Sequence, residues 1–275
     1  MIKNTLLENQ VAIITGAGRG IGRATALTFA QAGASVVLAA RSQAEITSVA
    51  DEIKENGGKV LAIPTDISDV VQVDHLLVLT LRAFGKVDIL VNNAAVVHPV
   101  GKVWETSPKA WKNLININVV GPYLCARTVL PHMLERGTGH VVNVSSSAAD
   151  FNLEGASAYN TSKAAMERFS GTLAAEVAHT DIAVTAFRPG IVDTAMQSEL
   201  RNTPVQQFSK VGLWQEWHES GQLRPGTEPA QAILWLSSHF AKGSNGKLFS
   251  IDDETFRQQL AQDLGEGIFA GRQRP

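Results

Sequence analysis

Tyr159 and Lys163 stand four residues apart in Tyr159-Asn160-Thr161-Ser162-Lys163, inside a helical pattern. At about 1.5 Å of rise per residue, a phenol and an ammonium so spaced lie one turn apart on one face. A phenol ionises near pH 10 in water, too high for a base at neutral pH. A cation beside it favours the phenolate, and a fall of about 3 units corresponds to roughly 4 kcal/mol of differential stabilisation. Tuned in that way, the pair works as a general acid and base. Alone, such a pair is more often a surface arrangement, and its meaning comes from its company in the chain. That company is Asn143-Val144-Ser145-Ser146-Ser147, at the end of an apolar run. In an open α/β sheet, ligands bind outside the carboxyl ends of the strands. A serine there can donate to a carbonyl oxygen as negative charge develops on it. A serine hydrolase is disfavoured, because no Ser sits in G-x-S-x-G; Gly155-Ala156-Ser157-Ala158-Tyr159 lacks the closing glycine.

A second constellation lies near the start. Thr15-Gly16-Ala17-Gly18-Arg19-Gly20-Ile21-Gly22 closes an apolar run and opens a helical pattern through Ala24, Leu27, Phe29 and Ala30. Glycines at a strand-to-helix turn let the backbone approach a pyrophosphate, to which the helix N-terminus offers unpaired N–H groups and positive dipole. The spacing is T-G-x-x-x-G-x-G, with Ile21 where G-x-G-x-x-G would need its third glycine. A phosphate loop of the Gly-Lys-Ser/Thr kind is excluded, since none of the Gly-Lys pairs at 58–59, 85–86, 101–102 and 246–247 is followed by Ser or Thr. About 20 residues further on, a carboxylate would bind the adenosine ribose of NAD. Leu38-Ala39-Ala40-Arg41-Ser42 has none: Ala40 takes the acid's place, Arg41 follows, and Arg19 lies in the glycine turn. Two guanidiniums near one ribose favour a 2′-phosphate, so NADP(H) is the preferred cofactor, with NAD(H) possible. A bound nicotinamide cation would join Lys163 in favouring the Tyr159 phenolate. Asp66, in Pro64-Thr65-Asp66-Ile67, is placed to pair with adenine, although an isolated Asp after a strand is more often a turn or cap residue.

Positioning these groups takes a regular frame. Apolar runs at 11–14, 35–38, 60–63, 87–91, 140–144, 182–187 and 247–251 read as seven strands. Nearly continuous apolar strands are expected where helices cover both sheet faces, and the segments between them are long enough for right-handed helical crossovers. The pattern predicts an α/β fold: one doubly wound domain over 1–275 with a seven-stranded parallel sheet and helices on both faces. Residues 194–227, with Pro204, Trp214, Trp217 and Pro225, read as a long loop or lid; 252–275 read as a polar tail with a helix at Asp253–Leu264.

The chain has 275 residues, 44% hydrophobic and 18% charged, with a net charge of −2. That composition excludes a disordered chain, and the near-neutral balance gives no reason to expect nucleic acid or an anionic membrane as partner. One cysteine, Cys125, excludes internal disulfides and multi-Cys zinc sites, and the seven histidines are too scattered for a helical ligand pair, so no metal is expected. The start reads as no signal peptide, and no apolar run reaches the ~18 residues of a bilayer span, which points to the cytoplasm.

Together these residues resemble the short-chain dehydrogenase/reductase family. The resemblance runs through the glycine motif at 15–22, Asp66, Asn92-Asn93-Ala94-Ala95, Asn118-Val119-Val120-Gly121, Ser146, the Tyr159/Lys163 pair and Arg188-Pro189-Gly190-Ile191-Val192-Asp193-Thr194. It implies hydride transfer between a nicotinamide and a ketone or secondary alcohol. Tyr159 would then be the acid/base, Lys163 the ribose ligand, Ser146 (rather than Ser145) the carbonyl-orienting donor, and Asn118 the holder of a relay water. Cofactor contacts are implied at Gly16, Gly18, Arg19, Gly20, Ile21, Gly22, Arg41, Ser42, Asp66, Ile67, Asn93, Pro189, Ile191 and Thr194. Ala95 replaces the family's usual glycine, and the usual closing aromatic-threonine-glycine run is absent, so of the homodimer or homotetramer expected, a dimer through helices within 106–135 and 157–178 is the firmer. Loops at 96–104, 147–154 and 194–222 should line the substrate pocket, with His98, Phe151, Met196, Trp214 and Trp217. Two other readings stay open: a dinucleotide-binding regulator without turnover, and a lyase or epimerase on the same scaffold.

Overall fold

The apolar runs form seven strands in a computed structural model that describes residues 5–265: β1 (Val11–Thr15), β2 (Ser35–Ala40), β3 (Lys59–Pro64), β4 (Ile89–Asn92), β5 (Thr138–Val144), β6 (Asp181–Arg188) and β7 (Leu248–Ser250). They make one sheet in the order β3-β2-β1-β4-β5-β6-β7, and every neighbouring pair is parallel. The chain builds outward from β1 to β3, then returns to lay β4 on the other side of β1. At that reversal the crossovers leave in opposite directions and a crevice opens at the carboxyl ends of the strands.

Helices cover both faces, as the unbroken apolar strands require. On one face lie α1 (Gly20–Gln31), α2 (Gln43–Glu55), α9 (Thr227–Leu236) and α10 (Glu254–Leu264), packed through Phe29, Ile46, Ile53 and Ile233 onto Ala12, Ile14, Val36 and Leu38. On the other lie α3 (Val70–Phe84), α5 (Gly121–Arg136) and α6 (Ser157–Glu176), packed through Leu76, Val129, Met133 and Leu173 onto Val11, Ile13, Val37 and Ala39. Alternate residues of one strand thus serve opposite cores. Local chemistry sets the helix ends: the Ser42 and Asp69 side chains accept the N–H groups of Glu45 and of Val71 and Gln72, and Gly85 (φ 76°) closes α3 in the left-handed conformation. Before α5 the chain runs through α4 (Pro108–Ile115) and a π-helical turn at Asn116–Val120.

The segment expected to be a long loop differs. Within 194–227 the chain forms α7 (Ala195–Arg201) and α8 (Val211–Glu219). Each is too short to display a helical repeat in sequence, and Pro204 separates them. Thr194 caps α7. Trp214 packs 4.9 Å from both the Phe208 and Trp217 rings, so these indoles hold the excursion together. Val97, Val100, Leu200, Phe208 and Val211 form a third, smaller core beneath it. The predicted C-terminal helix is present as α10, with Asp253 as its cap; the rest of the tail, 266–275, lies outside the described residues. Among the described residues no helix is long and apolar enough to cross a membrane.

At the opposite end of the sheet Asp88 ties the start of β1 to α5. Its carboxylate accepts from Val11 N (2.8 Å) and Arg136 Nη2 (2.7 Å), with Lys86 Nζ at 3.0 Å. Asp88→Asn keeps the shape but leaves two cations without their anion, and should cost about 2 kcal/mol. Urea unfolding would show this as a lower midpoint at unchanged slope.

Candidate active site

The crevice begins at the turn between β1 and α1. A Cβ on Gly22 would stand 2.2 Å from the Gly16 carbonyl oxygen and 2.5 Å from Asn93 Nδ2, so α1 approaches β1 only because residue 22 has no side chain. A Cβ on Gly16 (φ 65°) would stand 2.9 Å from the Ala94 Cα. The Asn93 amide donates to the carbonyls of Thr15 (2.9 Å) and Gly16 (3.3 Å), while Thr15 Oγ1 accepts the N–H groups of Asn93 and Ala94 and donates to Val91 O. Gly22 and the Asn93 side chain thus build the cradle. Asn93 still borders the crevice; Gly22 lies behind it.

The crevice has a volume of about 380 Å³. Gly16, Gly18, Arg19, Gly20 and Ile21 line it together with Arg41, Ser42, Asp66 and Ile67, and Pro189, Thr194, Tyr159 and Lys163 line it as well. One Asp66 oxygen accepts from both the backbone and hydroxyl of Ser68, the turn role weighed for it. Arg19 reaches toward Glu199 on α7 (3.8 Å), whose other oxygen lies 3.9 Å from His98 Nε2, so a carboxylate of the excursion joins the glycine turn to the 96–100 loop. Thr194 caps α7 while its methyl group packs against Gly20. Ile191 does not line the crevice; its carbonyl accepts Arg224 N and secures the far end of the excursion. Glu45 was not anticipated. It borders the crevice, and its carboxylate lies 2.8 Å from where a Gly18 Cβ would be. The only signal in sequence was the Ser42-x-x-Glu45 capping-box spacing, which does not tell that Glu45 turns toward the glycine turn.

At the other end, α6 carries Tyr159 and Lys163 on one face. Lys163 is 4% exposed; its Nζ donates to Val144 O (2.8 Å) and lies 5.6 Å from the Tyr159 ring centre. Burial lowers the ammonium to about 8, with the Glu167 carboxylate one turn on working against that fall. The phenol departs from expectation. Tyr159 is half-buried at the border of the crevice, and desolvation raises its pKa, with the Ser146 hydroxyl hydrogen-bonding in the opposing sense. Lys163 gives one of its three N–H donors to Val144, and burial outweighs the Ser146 hydrogen bond, so the phenol is on balance less acidic than in water.

Ser146 also accepts Ala148 N (3.2 Å) at the start of a short turn, whereas the buried Ser145 hydroxyl donates to Glu167 (2.8 Å), leaving Ser146 as the serine beside Tyr159. Asn118 sits in the π-helical turn, an irregularity common at functional sites. Its Oδ1 accepts Val96 N (2.9 Å), and its Nδ2 donates to Val96 O (2.8 Å) and Ser162 Oγ (3.1 Å). Its side chain thereby links the loop after β4 to α6. Of the residues proposed for the substrate pocket, Met196 borders the crevice and Phe151 is 67% exposed, its carbonyl held by Asn160 next to Tyr159.

A crevice at the reversal point of a doubly wound sheet, with a glycine cradle at one end and a Ser/Tyr/Lys group at the other, defines a dinucleotide-dependent oxidoreductase of the α/β class. The short chain dehydrogenase family model matches residues 10–205. The 3-oxoacyl-[acyl-carrier-protein] reductase of Synechocystis sp. is 33% identical over 251 residues, covering 90% of this chain and 97% of that protein. Among solved structures, the 3-ketoacyl-(acyl-carrier-protein) reductase of Brucella melitensis complexed with NADH shares 32% identity at a TM-score of 0.79 over 89% of this chain and 97% of its own. Levodione reductase shares 25% identity at 0.83 over 91% and 99%. The chain belongs to the short-chain dehydrogenase/reductase family and is an NAD(P)-dependent oxidoreductase.

The cradle's tolerance is measurable. Gly22→Ala should abolish binding of a reduced dinucleotide, read by its fluorescence enhancement, whereas Gly171→Ala, a helical position with open space around it, should leave binding unchanged. Binding that survives in Gly22→Ala would refute the close approach.

Proposed function

We propose that this enzyme is an NADP(H)-preferring reductase of ketones, and in reverse an oxidant of secondary alcohols, in which Tyr159 transfers the proton. The observation that carries the reading is that Tyr159 and Lys163 line the crevice whose opposite end is the glycine cradle, with the Ser146 hydroxyl hydrogen-bonded to Tyr159. The cradle suits a dinucleotide because Gly16, Gly18 and Gly20 leave bare backbone along the crevice wall at the start of α1. Bound there, the cofactor supplies hydride to the carbonyl carbon or accepts it in reverse. Backbone N–H groups at the start of α1 meet the pyrophosphate, and Arg41 and Arg19 meet a 2′-phosphate. The Glu45 carboxylate in the same region works against that phosphate, which keeps NAD(H) usable. Asp66 and Ile67 border the adenine, and Pro189 and Thr194 the nicotinamide side.

Ser146 donates to the substrate oxygen, and Tyr159 gives that oxygen its proton as the carbon–hydrogen bond forms. A phenol held above its ordinary pKa by burial is a proton donor across the neutral range, suited to reduction. Lys163 carries its positive charge below about 8 and, once ribose hydroxyls replace part of its present environment, steadies the phenolate left behind. Acting in reverse needs a more acidic phenol, and the oxidised nicotinamide's positive charge is the group that provides it. Tyr159, Leu153, Met196 and Trp214 pack against the small core of Val97, Val100, Leu200, Phe208 and Val211, which favours ketones with apolar substituents, and the excursion carrying α7 and α8 serves as the lid. The relatives named as reductases of 3-oxoacyl-[acyl-carrier-protein] and of levodione fit the same reaction class. An exposed Tyr123 against Phe169 lies on α5 and α6, the surfaces proposed to pair in a homodimer.

A panel of ketones offered with NADPH and NADH side by side tests the reading, and consumption of neither cofactor would end it. Tyr159→Phe should reduce kcat by at least about 10³-fold while leaving dinucleotide affinity unchanged. Arg41→Asp should move the NADPH/NADH ratio of kcat/KM toward NADH by roughly 10-fold or more, one lost charge-assisted pair's worth. A constant ratio would show that Arg41 does not meet the cofactor.

A further inference from the structure

At the wall of the crevice, where Ser145 lines it, and behind that wall, four side chains outside the proposed chemistry form one connected group. Glu167 lies one turn beyond Lys163 on α6. Its Oε1 accepts from the Ser145 hydroxyl (2.8 Å) and Arg188 Nε (2.7 Å), and its Oε2 accepts from Arg188 Nη2 (2.7 Å). The remaining arm of Arg188 reaches Asp150. The Arg188 and Glu167 side chains are 14% and 17% exposed, so both charges have left most of their water, while Asp150 is 64% exposed.

An apolar pair of similar volume would hold such a place as well or better, so stability alone gives no reason for ions here. What a forked, two-bond pairing adds is direction. The main-chain ladder between β5 and β6 ends at Val144 opposite Phe187, with one last bond from Ser145 N to Phe187 O. Past that point begin the loop bearing Ser146 and the turn Pro189-Gly190, where sheet pairing no longer fixes either. The four side chains take over there. Ser145 and Asp150 bracket Ser146, Glu167 shares α6 with Tyr159 and Lys163, and Arg188 runs directly into Pro189.

We propose that the Glu167–Arg188 ion pair, with Ser145 and Asp150, is a positioning device that holds Ser146, Lys163 and the Pro189-Gly190 turn in mutual register at the nicotinamide end of the crevice. Its opposition to the burial-lowered pKa of Lys163 acts in the same sense, keeping that side chain cationic. The inference rests on the reading that a nicotinamide lies at this end and the adenosine at the glycine end.

The double variant Glu167→Met/Arg188→Met removes both charges and leaves neither stranded, which separates register from stability. Its Tm should stay near the wild-type value. Affinity for ADP-ribose, which lacks the nicotinamide, should stay within about twofold, affinity for the reduced dinucleotide should fall about tenfold, and ketone kcat should fall about a hundredfold, the scale of a ~1 Å misplacement. Should the double variant fail to fold, Arg188→Lys, which keeps the charge but loses the fork, should show the same selective loss. Equal changes for ADP-ribose and dinucleotide, or wild-type kcat at wild-type Tm, would overturn the device. A wild type that binds both ligands but reduces no ketone would instead overturn the functional reading, leaving the binding comparison to judge the ion pair.

Discussion

The arrangement turns on one awkward constraint: an ammonium group kept in the interior beside a phenol. Lys163 is nearly out of contact with water, and burial alone would strip its proton. Burial lowers its pKa to about 8 against the pull of the Glu167 carboxylate one turn away, and the Val144 carbonyl accepts one of its N–H groups. That carbonyl is on hand because it is the last residue of β5, where the ladder ends and main-chain groups are released. The strand end, the helix phase of α6 and the charge behind it all serve one nitrogen atom, and the phenol beside it inherits the same dry surroundings.

The two ends of the crevice are built on opposite principles. At the glycine end, function depends on atoms that are missing: residues 16, 18 and 22 have no Cβ, and each would collide with a neighbour if they had one. Asn93 and Thr15 then lock the bared backbone to the loop after β4. At the other end, function depends on side chains whose hydrogen bonds are already committed elsewhere. Asn118 braces α6, Ser145 donates to Glu167, and Ser146 hydrogen-bonds to Tyr159. Rigidity on one side comes from close packing, and on the other from saturated polar groups.

The seven apolar runs, the glycine turn and the Tyr159/Lys163 spacing were legible in the chain, because strand burial, backbone approach and helix phase are local properties that residue type imposes directly. The same holds for the Asp253 cap of α10. Less was legible where a residue's role depends on what lies opposite it. Ser145 and Ser146 are chemically identical neighbours, and only Glu167 on another element separates them. The excursion at 194–227 reads as irregular because its helices are shorter than the repeat that would reveal them, and their order comes from Trp214, Phe208 and the core beneath.

Sequence by itself determined the parallel sheet and the family, since each follows from periodicity or from motifs contained in short stretches. Tertiary structure alone decided which way the pKa of Tyr159 moves, that Glu45 shares the crevice with the two arginines, that Asn118 and Asn93 are struts, and that Arg188 finds Glu167. Desolvation and charge pairing act through space between residues tens of positions apart, and no local pattern encodes those distances.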